Sequence, residues 1–131
     1  MGAQEIINKI QKALKTCSSD SSIDKKDIRI KLSIDKGFIM NDTLCHLMNK
    51  KEVLYPIELR TLLELSNPLQ AKMVSTYLGN MLTEFAKKDN IIDTDVNARI
   101  STLSEDYYPR VHLFNGNKYI REITLEELTG N

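Results

Sequence analysis

From Asp27 to Asp35 polar and apolar residues alternate without a break: Ile28, Ile30, Leu32 and Ile34 fall on one side, and Asp27, Arg29, Lys31, Ser33 and Asp35 on the other. A two-residue period is the repeat of an extended strand, whose successive side chains point to opposite faces. No other feature constrains the chain as much. A strand needs hydrogen-bonded neighbours at its edges and an apolar cover over its greasy side. Asp35-Lys36-Gly37 supplies turn chemistry, and Phe38-Ile39-Met40 reads as a short returning strand.

The cover comes from helices. Asn67-Pro68 is a cap followed by a first-turn proline, and the stripe behind it runs Leu69, Met73, Val74, Tyr77, Leu78, Met81, Leu82, Phe85 to about Lys88. Gly79 interrupts that helix at a cost of about 1 kcal/mol relative to Ala, which a close crossing would explain. Asn41 or Asp42 can cap a helix carrying Leu44, Leu47 and Met48 and ending near Lys50-Lys51, and Pro56 can open another with Leu59, Leu62 and Leu63 that breaks near Ser66. Residues 3–17 form an amphipathic helix with Ile6, Ile10, Leu14 and Cys17 on one face. It stops in Ser18-Ser19-Asp20-Ser21-Ser22, whose side chains compete for backbone hydrogen bonds.

Further on, Ile100 to Leu103 reads as a strand. Arg110–Phe114, Asn115-Gly116-Asn117 and Lys118–Ile123 form a β-hairpin with an Asn-Gly turn. Thr124-Leu125-Glu126-Glu127 matches a capping box. The expected fold is therefore α+β and predominantly helical, with four to five helices, a short N-terminal strand or hairpin and a C-terminal β-hairpin. Residues 1–22 are expected to be a helical arm plus Ser-rich linker, and 23–131 a single α+β domain.

Composition narrows the function classes. Lys plus Arg and Asp plus Glu both number 18, for a net charge of zero. That balance argues against a coat for nucleic acid, which needs excess cations, but leaves room for a local basic face. Two separated cysteines, Cys17 and Cys45, point to a reducing compartment. No apolar run approaches the roughly 18 residues of a membrane span. Gln4, Glu5, Asn8 and Lys9 interrupt any signal-peptide core, and Ile6 stands where a myristoylation signal wants Ser or Thr. A cytoplasmic protein that does not span a membrane is expected. Abundant Ile, Lys and Asn beside scarce Gly, Pro and Trp suggest AT-rich coding, as in phages and mobile elements.

No catalytic set emerges. Asp93-Thr94-Asp95-Val96-Asn97-Ala98-Arg99-Ile100 is similar to the start of an EF-hand calcium loop, with oxygen donors at positions one, three and five. It departs where a turn needs Gly and has Ala98, and where a bidentate Glu belongs and Ser104 stands, so a polar loop is the expectation for 93–105. His46 and His112 are isolated, and Cys45 beside His46 on a helix would point about 100° away from it. No phosphate-cradling glycine loop, G-x-S-x-G elbow or H-E-x-x-H helix exists. No metal, cofactor or enzymatic activity is assigned.

Two functions remain as expectations. The first is a non-enzymatic protein-interaction or assembly module. It would self-associate through the N-terminal helix (Ile6, Ile10, Leu14) or meet partners through hairpin aromatics (Tyr107, Tyr108, Phe114, Tyr119). The second rests on element order: helices at 41–50, 56–66 and 68–88 followed by a hairpin are similar to the winged-helix architecture. That resemblance implies nucleic-acid contacts from Lys72, Lys87 and Lys88 on the helix and from Arg110, Lys118 and Arg121 on the wing.

Overall fold

The computed structural model describes residues 3–18, 28–38, 41–101 and 110–129. The alternating run forms β1 (Ile28–Lys36), the third strand of a six-stranded sheet. The remaining elements are α1 (Ala3–Ser18), β2 (Asn41–Asn49), β3 (Glu52–Pro56), α2 (Leu59–Leu62), α3 (Pro68–Lys88), β4 (Val96–Ser101), β5 (Arg110–Asn115), β6 (Lys118–Ile123) and α4 (Leu125–Thr129). Every pairing is antiparallel, in the order β3-β2-β1-β4-β5-β6. Two consecutive hairpin turns make β1–β2–β3; the chain then crosses through α2 and α3 and returns on the far side of β1 as β4.

Register sorts the side chains. Ile30 lies between Leu47 and Ile100, and Leu32 between Cys45 and Ala98. Val111, Leu113 and Ile123 continue that apolar face onto β5 and β6. Leu78, Leu82 and Phe85 of α3, Ile6 and Ile10 of α1, and Leu125 and Leu128 of α4 close over it in one cluster. Each full Leu or Ile burial there contributes about 1.5–3 kcal/mol. α1 is also clasped by ion pairs from Lys9 and Lys12 to Glu64, at 2.7 and 2.8 Å.

A predominantly helical fold is not what forms. The expected helix at 41–50 is β2, paired with β1 from Ile28↔Asn49 to Lys36↔Asn41. Leu44, Leu47 and Met48 suggested a helical stripe, but the buried face is Thr43, Cys45 and Leu47, at a spacing of two. Small or polar inward residues hid the alternation. The expected helix at 56–66 shrinks to Leu59–Leu62, because β3, with the strand formers Val53 and Tyr55, runs along β2 as far as Pro56. Pro56 closes that edge strand, a place where a missing N–H is tolerated. Without those two helices the winged-helix order does not exist. The strand expected from Ile100 begins earlier, at Val96.

Local signals are met at the long helix and the hairpin. Asn67 Oδ1 accepts from Leu69 N at 2.9 Å at the head of α3. Gly116 makes the hairpin turn at φ +60°. Thr124 Oγ1 accepts from Glu127 N at 2.9 Å. The close approach expected at Gly79 is to a strand: a Cβ there would stand 2.9 Å from the Asp42 carbonyl oxygen and 3.0 Å from that of Asn41. Thr43 secures the same crossing, donating from Oγ1 to the Ser75 carbonyl at 2.7 Å and from N to Ser75 Oγ at 3.0 Å. Residues 19–22 of the linker, Ile39 and Met40 of the returning strand, and Thr102 and Leu103 lie outside the described residues.

Candidate anion-binding face

Because side chains alternate, the strands that bury Ile30 and Leu32 must turn their intervening residues to the opposite face. Among the described residues no helix lies there. One row crosses the sheet in register: Pro56, His46, Lys31, Arg99, His112 and Glu122, one from each strand. The row beside it is Leu44, Ser33, Asn97, Phe114 and Tyr119. Arg29, opposite Met48, stands on the same face.

Arg99 is the centre of this face. It is a charged side chain of which only 5% is exposed. Nε donates to Asn97 Oδ1 at 3.0 Å, and Nη2 donates to the Gly116 carbonyl at 3.0 Å and to Asn117 Oδ1 at 2.8 Å. Asn97 is itself fixed, donating from Nδ2 to the Asp95 and Gly116 carbonyls at 3.0 Å each. The guanidinium carbon lies 3.9 Å from the centre of the Phe114 ring, a cation–π contact. Among the described residues every acceptor is a neutral oxygen, and no carboxylate offsets the charge.

The neighbours add to it. Lys31 faces Arg99 directly across the β1–β4 pair, and like charges so opposed are destabilising. Burial first, and then Arg99, lowers the Lys31 pKa below its ordinary value. Burial and then Arg29 do the same to Arg99. His112 is held below 6.5 by burial first; Glu122 works against that shift, while Arg29 and Arg110 add to it. One positive field therefore joins β1, β4 and β5. Arg29, Lys50, Lys51, Arg99, His112, Phe114 and Asn117 line a cleft of about 300 Å³. Among the described residues no carboxylate lines it. An adjoining cleft of about 410 Å³ shares Asn117 and adds Lys31, Ser33, Leu44, Thr94, Asp95 and Asn97.

The residues singled out from sequence are distributed otherwise. Lys72 is ion-paired to Asp42, Lys87 to Glu84 at 3.7 Å, and Arg121 to Asp89 at 3.1 Å. Arg110 meets Glu122 at 3.6 Å, and Lys88 and Lys118 are exposed at the end of α3 and the start of β6. Lys72 and Lys88 sit at opposite ends of α3, about 24 Å apart at 1.5 Å per residue. Ile6 and Ile10 are buried at 4% and 3% exposure in the chain's own core. Phe114 and Tyr119 meet edge-on at 5.8 Å on the cationic face. Tyr107, Tyr108 and the side chain of Leu14 lie outside the described residues. The calcium-like segment becomes a turn at Asp93–Asp95 running into β4.

Sequence reading missed Arg29, Lys31, Lys50, Lys51, Arg99, Asn97 and Asn117. The available signal was the polar side of the alternation, where Arg29 and Lys31 are spaced by two. Only strand register brings Arg99 beside them. Fold and face together define an antiparallel sheet backed by helices, presenting a cationic, aromatic-edged cleft. No family model, no curated protein and no solved structure matches the chain. Among the described residues no helix is long and apolar enough to cross a membrane.

Proposed function

We propose that the chain is a binding module for a phosphate-bearing ligand, seated on the face of the sheet opposite the core, with Arg99 as its anchor. The observation that carries this reading is the buried guanidinium, which among the described residues is held by neutral oxygens alone, with other cations beside it. Removing a charge from water costs several kcal/mol when no opposite charge offsets it, and adjacent like charges add to the cost. An anion bound in the cleft removes both penalties. Asn97, Gly116 and Asn117 take the Nε and Nη2 donors, so the donor offered to a phosphate oxygen is Nη1, on a guanidinium that the other three bonds hold in place.

Ligand-dependent stability tests the proposal. A ligand at a hundred times its Kd stabilises the folded chain by about 2.7 kcal/mol. Melting of the full chain should therefore rise with pyrophosphate or short-chain polyphosphate and stay flat with equal ionic strength of chloride. Arg99→Gln should lose the response. A wild-type melting point unmoved by millimolar pyrophosphate or polyphosphate would sink the reading.

A second reading, assembly with another copy of the chain, is favoured by β3. On this edge strand Val53, Leu54 and Tyr55 are 40–50% exposed. Lys50 and Lys51 precede it and Glu58 follows, so antiparallel pairing of two copies sets cation against acid at both ends. The register shift between Leu47 and Met48 limits the pairing and makes such a dimer weak. Sedimentation at rising concentration tests it, and a monomer throughout removes it.

A further inference from the structure

The geometry points to single-stranded nucleic acid as the ligand of the cationic face, an inference that rests on the phosphate-binding reading above. The first ground is extent. The two clefts adjoin through Asn117, and the cations that carry the argument come from the β2–β3 turn (Lys50, Lys51), β1 (Lys31) and β4 (Arg99). With strands about 4.8 Å apart, that track is longer than one phosphate group needs. It suits a ligand that repeats its charge.

The second ground is the aromatic edge. Tyr119 is 51% exposed, and its ring is steadied edge-on by His112 at 5.5 Å and Phe114 at 5.8 Å. A half-exposed ring with two ring neighbours, next to a phosphate track, is the pairing that binds single strands. The cations follow the backbone while an aromatic face takes an unstacked base. Polyphosphate has nothing to place on Tyr119. A duplex keeps its bases stacked inside and cannot reach that ring, nor lower its backbone onto an arginine that is 5% exposed.

The test is fluorescence anisotropy on the full chain with labelled single-stranded RNA and DNA of about twelve nucleotides, the matching duplex, and inorganic polyphosphate as competitor. Single strands are expected to bind at least tenfold tighter than the duplex. Tyr119→Ala should weaken them about five- to hundredfold while leaving polyphosphate unchanged. Tyr119→Phe, which keeps the ring, should retain binding, and Arg99→Gln should weaken both ligands. Circular dichroism of each variant guards against misfolding, and Tyr119→Phe gives a reading even where Tyr119→Ala fails to fold. Polyphosphate binding without single-strand binding, or single-strand binding indifferent to Tyr119→Ala, overturns the nucleic-acid inference and leaves the phosphate reading standing. Loss of binding to both ligands in the wild type removes the two together.

Discussion

At the scale of single residues, His112 gives the cationic face a dependence on pH. Burial, with Arg29 and Arg110 nearby, depresses its pKa below 6.5 against the pull of Glu122. The unfolded chain, whose histidine keeps the ordinary value, therefore takes up this proton first as pH falls. The contribution of His112 to stability is complete above about 6.5 and declines as pH drops from there through the lower folded-state value. Ligand affinity should move the other way, because a protonated imidazole adds a cation to the cleft. Phosphate-ligand affinity is expected to rise between pH 7.5 and 5.5, and His112→Gln to flatten that rise. Titrating ligand at both pH values, on wild type and variant, checks it; an identical rise in the variant assigns the effect to another group.

At the scale of elements, the crossing of α3 over β2 sets up a contest that can be decided by magnitudes. Gly79→Ala gains about 1 kcal/mol of helix propensity. Its new Cβ, however, would press on backbone oxygens of Asn41 and Asp42 at 3.0 and 2.9 Å, and backbone cannot rotate away as a side chain can. Overpacking of this kind typically costs 1–3 kcal/mol, so the variant should be less stable by up to about 2 kcal/mol, read from urea unfolding. Stabilisation by Gly79→Ala would mean that α3 does not sit on the strand at this spacing. The same crossing shows what was legible beforehand. β1, α3, the β5–β6 hairpin and the Thr124 cap declare themselves because their periods, caps and turns are local. β2 does not, since Thr43 and Cys45 fill inward positions without being strongly apolar, while Leu44 and Met48 lie off the core face. Its strand character comes from pairing with β1. Arg99 was visible only as a member of a calcium-like run, and its place beside Lys31 depends on strand pairing.

At the scale of the molecule, a net charge of zero conceals a segregated surface. Around the helices, cations are spent on local acids: Lys9 and Lys12 on Glu64, Lys72 on Asp42, Arg121 on Asp89. On the sheet face Lys31, Lys50, Lys51 and Arg99 border clefts in which Asp95 is the one carboxylate among the described residues. Zero net charge therefore argues against a uniform coat and says nothing against a cationic face. Two double variants separate location from total charge. Lys87→Gln with Lys88→Gln and Lys31→Gln with Lys51→Gln each remove two positive charges. If affinity for a single strand followed net charge, both pairs would lose equally. If the sheet face holds the phosphates, the α3 pair should change affinity by less than about twofold. The sheet pair should weaken it tenfold or more and reduce the slope of log K against log salt by about 1.4, at 0.7 per lost phosphate contact on a single strand. Anisotropy titrations at 50 and 200 mM salt read both quantities. Equal losses, or a larger loss from the α3 pair, would move the interface off the sheet and onto the helix.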